Sequence, residues 1–465
     1  MNSNDTTPEL LARQEKAVVV APAGCGKTHL ITEAIKYTNN GRQLILTHSH
    51  AGVHSLLNNL KKNGTPAEKF RVETIAGFAL RYAASYPVIC KQPLFNEDET
   101  VIYDSLYDAA KNVINCPVGR KIICSSYSGI FVDEYQDCTI EQHKLILTLS
   151  ELLPTRILGD PLQGIFDFAG EIVNWDRDVF SEFSRLPDLY KPWRWELNNR
   201  YLGVWLTEVR QHIMDKEAIS LINLPFQTSW KPNERTNQIN TLKWSNGITV
   251  GIIDIDNKAH KIASSLKGIY NSMEEIERRA LIKFCNEFEN KSRENKILSV
   301  LKFSSTCMTK VKSEFNPIIS CIENGKKYRG KKHQILIKCI ENYLFTGEVY
   351  FIIEIINYID SIEDKNTFRK ELWFDLRKLF KTYSLNTNES LKKLARKQFE
   401  FESIKGRFVF NKTISRPLLI KGLEFNHAIL LDADRLKPKE LYVSLTRGSN
   451  YLTILSKDKV LNQYG

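Results

Sequence analysis

A chain that sets Ala21-Pro22-Ala23-Gly24-Cys25-Gly26-Lys27-Thr28 between an apolar run, Ala17 to Val20, and a helix-like stretch, His29 to Tyr37, has little freedom in how that region folds. Strand, tight glycine loop and helix N-terminus, in that order, wrap backbone N–H groups around phosphate oxygens. Gly24 and Gly26 let the backbone turn, and the amides of Ala23 to Thr28 face the phosphates. Lys27 adds positive charge at the β- and γ-phosphates, and the Thr28 hydroxyl suits Mg²⁺. Ala21 stands where the first glycine of such loops is usual.

A second signal is Ile130-Phe131-Val132-Asp133-Glu134-Tyr135-Gln136-Asp137, a strand that delivers two adjacent acids to its exposed end. A lone Asp-Glu pair there would be a solvated turn. Downstream of a phosphate loop it assigns Asp133 to Mg²⁺ and Glu134 to activation of the attacking water. These residues alone predict an ATP- and Mg²⁺-dependent hydrolase.

The surrounding pattern fixes the fold class. Short apolar runs at Ala17 to Val20, Leu44 to Leu46, Ile130 to Val132 and Ile157 to Leu158 end in small or acidic residues, as parallel strands feeding loops do. A second set, Ile248 to Ile255, Ala428 to Leu431 and Tyr451 to Leu455, is split by a lysine-rich helical stretch. We therefore expect an α/β protein: a first lobe over 1–190 with a small insertion at about 79–125, a second over 191–260 and 406–465, and a helical insertion at 261–405. At 465 residues, roughly three units is also what a prior of about 150 residues per domain suggests.

Several further boxes resemble the UvrD/Rep branch of superfamily 1 helicases. Asp133-Glu134-Tyr135-Gln136-Asp137 is similar to its Asp-Glu-x-Gln-Asp box, and Leu158 to Gly170 to its third motif. Lys421-Gly422-Leu423-Glu424-Phe425 resembles motif V, and Leu441 to Arg447 motif VI. The resemblance implies two RecA-like P-loop lobes with the ATPase site between them. It makes Asp160 and Gln163 γ-phosphate sensors, Arg447 an arginine finger, Arg194 in Pro192-Trp193-Arg194 a second γ-phosphate contact, Glu424 a ribose ligand and Gln14 an adenine reader.

Leu46 to Val53, with Thr47 and His48, and Thr74 to Phe78 are similar to elements that grip the DNA backbone, while Phe166 and Phe168 occupy positions that offer rings to bases. Core packing is the alternative for both rings. Residues 413–420 lack the Thr-x-His that precedes motif V in the large enzymes. The implied activity is ATP-driven movement on single-stranded or partly duplex DNA, 3′ to 5′. Compact proteins of this type also resemble the helicase-like subunits that pair with OLD-family nucleases in Gabija-type anti-phage systems, which makes a DNA-sensing ATPase with a nuclease partner the alternative.

The net charge of +11 favours a polyanion, whether nucleic acid or an acidic membrane. The clusters at 326–332 and 392–397 suit duplex DNA or a partner protein, or are solvated faces. Nine cysteines without paired C-x-x-C spacing argue against zinc and iron–sulfur centres and for reduced thiols. Met-Asn-Ser-Asn-Asp lacks the features of a secretory signal, and no apolar run reaches the roughly 20 residues needed to span a bilayer, so a cytoplasmic location without membrane partners is expected.

Overall fold

Two parallel sheets, each covered by helices on both faces, carry the molecule. The computed structural model describes residues 5–38, 41–90, 92–94, 101–165, 170–245, 247–254, 258–273, 276–363, 365–385, 389–405 and 410–464. The first sheet is built from β1 (Lys16–Val20), β2 (Gln43–Thr47), β3 (Phe70–Thr74), β4 (Gly129–Val132), β5 (Thr155–Gly159) and β6 (Ser184–Arg185). Its order is β3-β2-β4-β5-β1-β6, with every neighbouring pair parallel.

Alternation along the strands explains why both faces are covered. Val18 and Val20 of β1, with Ile130 and Val132 of β4, face a cluster that includes Phe78, Tyr107 and Leu145. Val19 and Phe131 face the opposite cluster, with Leu30, Ile31 and Leu56. Among the described residues of 79–125, helices run at Ile75–Ser85, Pro87–Cys90, Tyr103–Asn115 and Pro117–Ser126.

The second sheet comprises β7 (Thr228–Pro232), β8 (Thr249–Ile252), β9 (Asn271–Met273), β10 (Lys412–Ser415), β11 (Phe425–Leu430) and β12 (Gly448–Ser456), in the order β9-β10-β8-β11-β12-β7. It is also parallel throughout. β9 lies inside the stretch expected to be a helical insertion, so this sheet reaches past residue 260. Asn271-Ser272-Met273 is short and mostly polar, and it lacks the apolar run that marks a buried strand.

The described residues from Ile276 to Lys405 are mostly helical and have a core of their own. Phe284, Phe288, Phe303 and Phe380 pack there with ring centroids 4.8 to 6.2 Å apart. Its last helix, Leu391–Lys405, also packs on His50–Lys62 of the first lobe, so the insertion touches both lobes. Among the described residues, no helix is long and apolar enough to cross a membrane, and no group of His, Cys, Asp or Glu is arranged as a metal-binding cluster of three or more.

Candidate functional site

The phosphate loop leaves β1 at Val20 and enters the helix Lys27–Ala34. Gly24 and Gly26 adopt φ of +72° and +87°, a region closed to most side chains. A Cβ on Gly24 would lie 2.6 Å from the Trp195 ring, so only glycine fits under the element that covers it. Cys25 is buried, and burial pushes its thiol up to about 12, leaving it inert and its backbone available. The Lys27 Nζ donates to the Ala21 carbonyl at 3.2 Å and lies 3.7 Å from the Glu134 carboxylate.

β4 brings the acids to the same place. The Thr28 hydroxyl is 3.4 Å from Asp133 Oδ2. A hydroxyl and a buried carboxylate side by side, next to a glycine cradle and a lysine, form a donor set that fits Mg²⁺ and a triphosphate. Glu134 is left-handed, with φ 57° and ψ 42°, and its N–H donates to Asp133 Oδ1 at 2.9 Å. Burial and the adjacent Glu134 charge push Asp133 up. Burial also acts to raise Glu134, but Lys27, Lys421, the Gln136 amide and Arg447 outweigh it and hold that carboxylate below its ordinary range. The result is a carboxylate held in its ionised form beside Lys27.

The second lobe completes the site. The short helix Trp193–Glu196 lies over the loop, and the Arg194 backbone N–H donates to the Gly24 carbonyl at 3.1 Å. The Arg194 guanidinium donates to Glu424 Oε1 at 2.7 Å and to the Thr446 carbonyl at 2.8 Å. Thus the two residues expected at γ-phosphate and ribose meet each other. Arg447 is 1% exposed and donates to the carbonyls of Val443 (2.8 Å) and Leu423 (3.2 Å) and to the Thr446 hydroxyl (2.9 Å). Among the described residues no carboxylate pairs with it, and burial together with the charge of Arg194 pushes it down to about 9. Gln163 donates to Asp160 Oδ2 at 2.9 Å, at the end of β5.

Other expected residues are placed differently. The Gln14 amide folds back on the Leu10 carbonyl at 3.2 Å. Thr47 is buried, and Thr74 accepts the Gly77 N–H at 2.9 Å as the cap of its helix. His48 Nε2 lies 3.3 Å from Cys138 Sγ. The Phe78 ring is fully buried against Tyr82, 4.7 Å between centroids, so as placed it is a core residue and presents no face to a nucleic acid. The reason is its register: Ile75, Phe78, Ala79 and Tyr82 form the inward stripe of that helix. Phe166 and Phe168 lie outside the described residues.

Sequence reasoning assigned no role to three residues that join the lobes here. Lys421 Nζ contacts both carboxylate oxygens of Asp137, at 2.5 and 2.6 Å, and also the Gln163 carbonyl. Arg210 pairs with Asp160 at 2.6 Å. The Tyr442 hydroxyl accepts the Ala23 N–H at 3.3 Å. Lys421 and Tyr442 sit inside quoted motifs, whereas nothing in the sequence around Arg210 marks it.

Compared with known proteins, the chain matches no family model and no curated sequence. Among solved structures it is similar to the crystal structure of arterivirus nonstructural protein 10, a helicase, with TM-score 0.36 and 10% identity over 96% of this chain and 61% of that one. It is also similar to that helicase in complex with DNA, with TM-score 0.29 and 13% identity over 52% and 49%. A third is the Pif1 helicase from Bacteroides in complex with ADP-AlF3 and ssDNA, with TM-score 0.28 and 11% identity over 56% and 55%. The chain spans about half to three-fifths of the length of these proteins.

Proposed function

We propose that this chain is an ATP-driven motor on single-stranded DNA of the UvrD-like type, moving 3′ to 5′. The observation that carries the reading is Arg447, a buried arginine whose hydrogen-bond partners among the described residues are carbonyls and a hydroxyl, across the lobe boundary from Lys27 and Glu134. Such a cation suits an anion that arrives and leaves, as a transferring phosphoryl group does. Lys27 and the loop amides would hold the phosphates, Thr28 and Asp133 the Mg²⁺, and Glu134 would orient and deprotonate the water. The metal supplies charge neutralisation on the phosphates when bound. With parts of the site on two lobes, ATP binding would draw the lobes together and hydrolysis would release them, and this becomes a step if each lobe grips the strand.

A second reading, a DNA-sensing ATPase subunit that regulates a partner nuclease in anti-phage defence, is favoured by one surface feature. Trp193, which lies against Gly26, and Leu197, Tyr201 and Val204 after it are all exposed apolar side chains, with Leu197 95% and Tyr201 72% exposed.

Steady-state ATP hydrolysis with and without a single-stranded oligonucleotide tests the motor, with Glu134→Gln as blank. Strong stimulation by single strands is the expected result. Hydrolysis that ignores DNA would dismiss the autonomous motor.

A further inference from the structure

Helix Arg200–Met214 belongs by its packing to the second lobe, since Leu202, Leu206 and Val209 share a buried cluster with Ile252, Leu430 and Leu441. Its Arg210 reaches the other way. Nη1 of Arg210 is 2.6 Å from Oδ1 of Asp160, at the end of β5 in the first lobe, and both side chains are buried. Separating this buried pair would leave Asp160 as an uncompensated charge away from water, which makes the contact costly to break.

Asp160 is tied to Glu134 through one side chain with two ends. Gln136, 1% exposed, accepts the Asp160 N–H on its Oε1 at 2.9 Å and donates its Nε2 to Glu134 Oε2. The close fit extends to the strand, where a Cβ on Gly159 would meet Gln136 Oε1 at 2.7 Å. Glu134 has a left-handed backbone, which a non-glycine residue keeps only when its surroundings hold it there. The other oxygen of Asp160 takes the Gln163 amide, so the aspartate cannot swing freely towards or away from Arg210.

We propose that Arg210 is a positioning residue for Glu134, acting through Asp160 and Gln136, so that the base is set in place when the second lobe is seated on the first. The proposal rests on the reading of Glu134 as the hydrolytic base. It gives a physical route by which lobe closure licenses the chemical step. One competing route is visible: the Arg210 guanidinium also lies 5.6 Å from the Tyr442 ring centroid, and the Tyr442 hydroxyl takes a phosphate-loop amide. Arg210 acting that way would change nucleotide affinity and spare the chemical step.

The test measures kcat and KM for ATP at saturating single-stranded DNA, together with binding of a fluorescent non-hydrolysable ATP analogue, on the full chain. Arg210→Gln and Gln136→Met should each lower kcat about tenfold to a hundredfold, with analogue affinity within about twofold of wild type, as expected for a misplaced reacting group. The double variant should lose about as much as the more impaired single variant and no more, because both act on one path. Arg210→Lys should recover most of the rate. Losses that multiply in the double variant, or a raised KM with kcat intact, would overturn the route through Gln136. Gln136→Met leaves the ion pair untouched, so a wild-type kcat there refutes the proposal even if Arg210→Gln does not fold. A wild-type chain that does not hydrolyse ATP at all overturns the ATPase reading itself, a result distinct from active wild type with unaffected variants.

Discussion

Glu134 stands among Lys27, Lys421, Gln136 and Arg447, and their combined pull keeps it ionised despite its burial. Glu134→Gln should therefore retain binding of an ATP analogue while phosphate release falls to background, since the amide keeps the shape and loses the base. Arg447→Ala should reduce kcat by about 10³ if the guanidinium stabilises the transferring phosphoryl group. A mild effect in a phosphate-release assay would move Arg447 to a purely structural role. His48 makes a pH-dependent prediction. Burial, reinforced by the charge of Lys421, pushes its imidazole from the ordinary 6.5 down to about 3. The unfolded chain therefore takes up this proton first. The contribution of His48 to stability is complete above pH 6.5 and is lost as pH falls towards 3. In urea titrations between pH 6 and 4, His48→Asn should flatten the dependence of stability on pH by about 1.4 kcal/mol per unit. An unchanged slope would mean that the folded protein already carries the imidazolium.

The phosphate loop and the short helix Trp193–Glu196 form one packed element, although about 170 residues separate them in sequence. Gly24→Ala meets both a left-handed backbone and the Trp195 ring, and should cost about 1–3 kcal/mol of stability while weakening nucleotide binding. Thermal unfolding and analogue titration read the two effects separately; a neutral variant would mean that the helix is free to lift away. Strands were legible where their residues form a continuous apolar run, not simply where they are buried: Asn271–Met273 and Lys412–Ser415 are largely buried but mostly polar, and no such run marks them. β1, β2, β4 and β5 carry the continuous β-branched or apolar runs of strands covered on both faces. The sheet-edge strands β3, β6, β7 and β9, and the interior strand β10, do not stand out in the sequence. An edge strand has one neighbour and less cover, so polar residues such as those of Phe70–Thr74 and Thr228–Pro232 cost little there. Phe78 is a related case, since a motif-like aromatic and a core aromatic look the same until the helix face is known.

At the scale of the whole molecule, the lobes are joined through buried charge. Lys421 and Asp137 are each almost fully buried, and Lys421→Ala would leave the aspartate without its cation. We expect a loss of about 3–5 kcal/mol and a wider separation of the lobes. Melting temperature, together with a pair of distance labels on the two lobes, measures both; unchanged distances would assign the closure to Arg210, Trp195 and their neighbours. The helical insertion packs on the first lobe through Leu391–Lys405, so any movement of the lobes against each other would also shift this contact.

The sequence by itself determined the local structure of the candidate site, a glycine loop after a strand and two acids at a strand end, because backbone turns and strand ends are set by near neighbours. It also determined the α/β class, through periodicity. Only the tertiary structure decided which second-lobe cations meet which first-lobe acids. Arg210 with Asp160, Lys421 with Asp137 and Tyr442 with Ala23 join residues 50 to 419 positions apart. Such contacts carry no local pattern, since burial, charge and reach can be satisfied from many places in the chain until packing selects one.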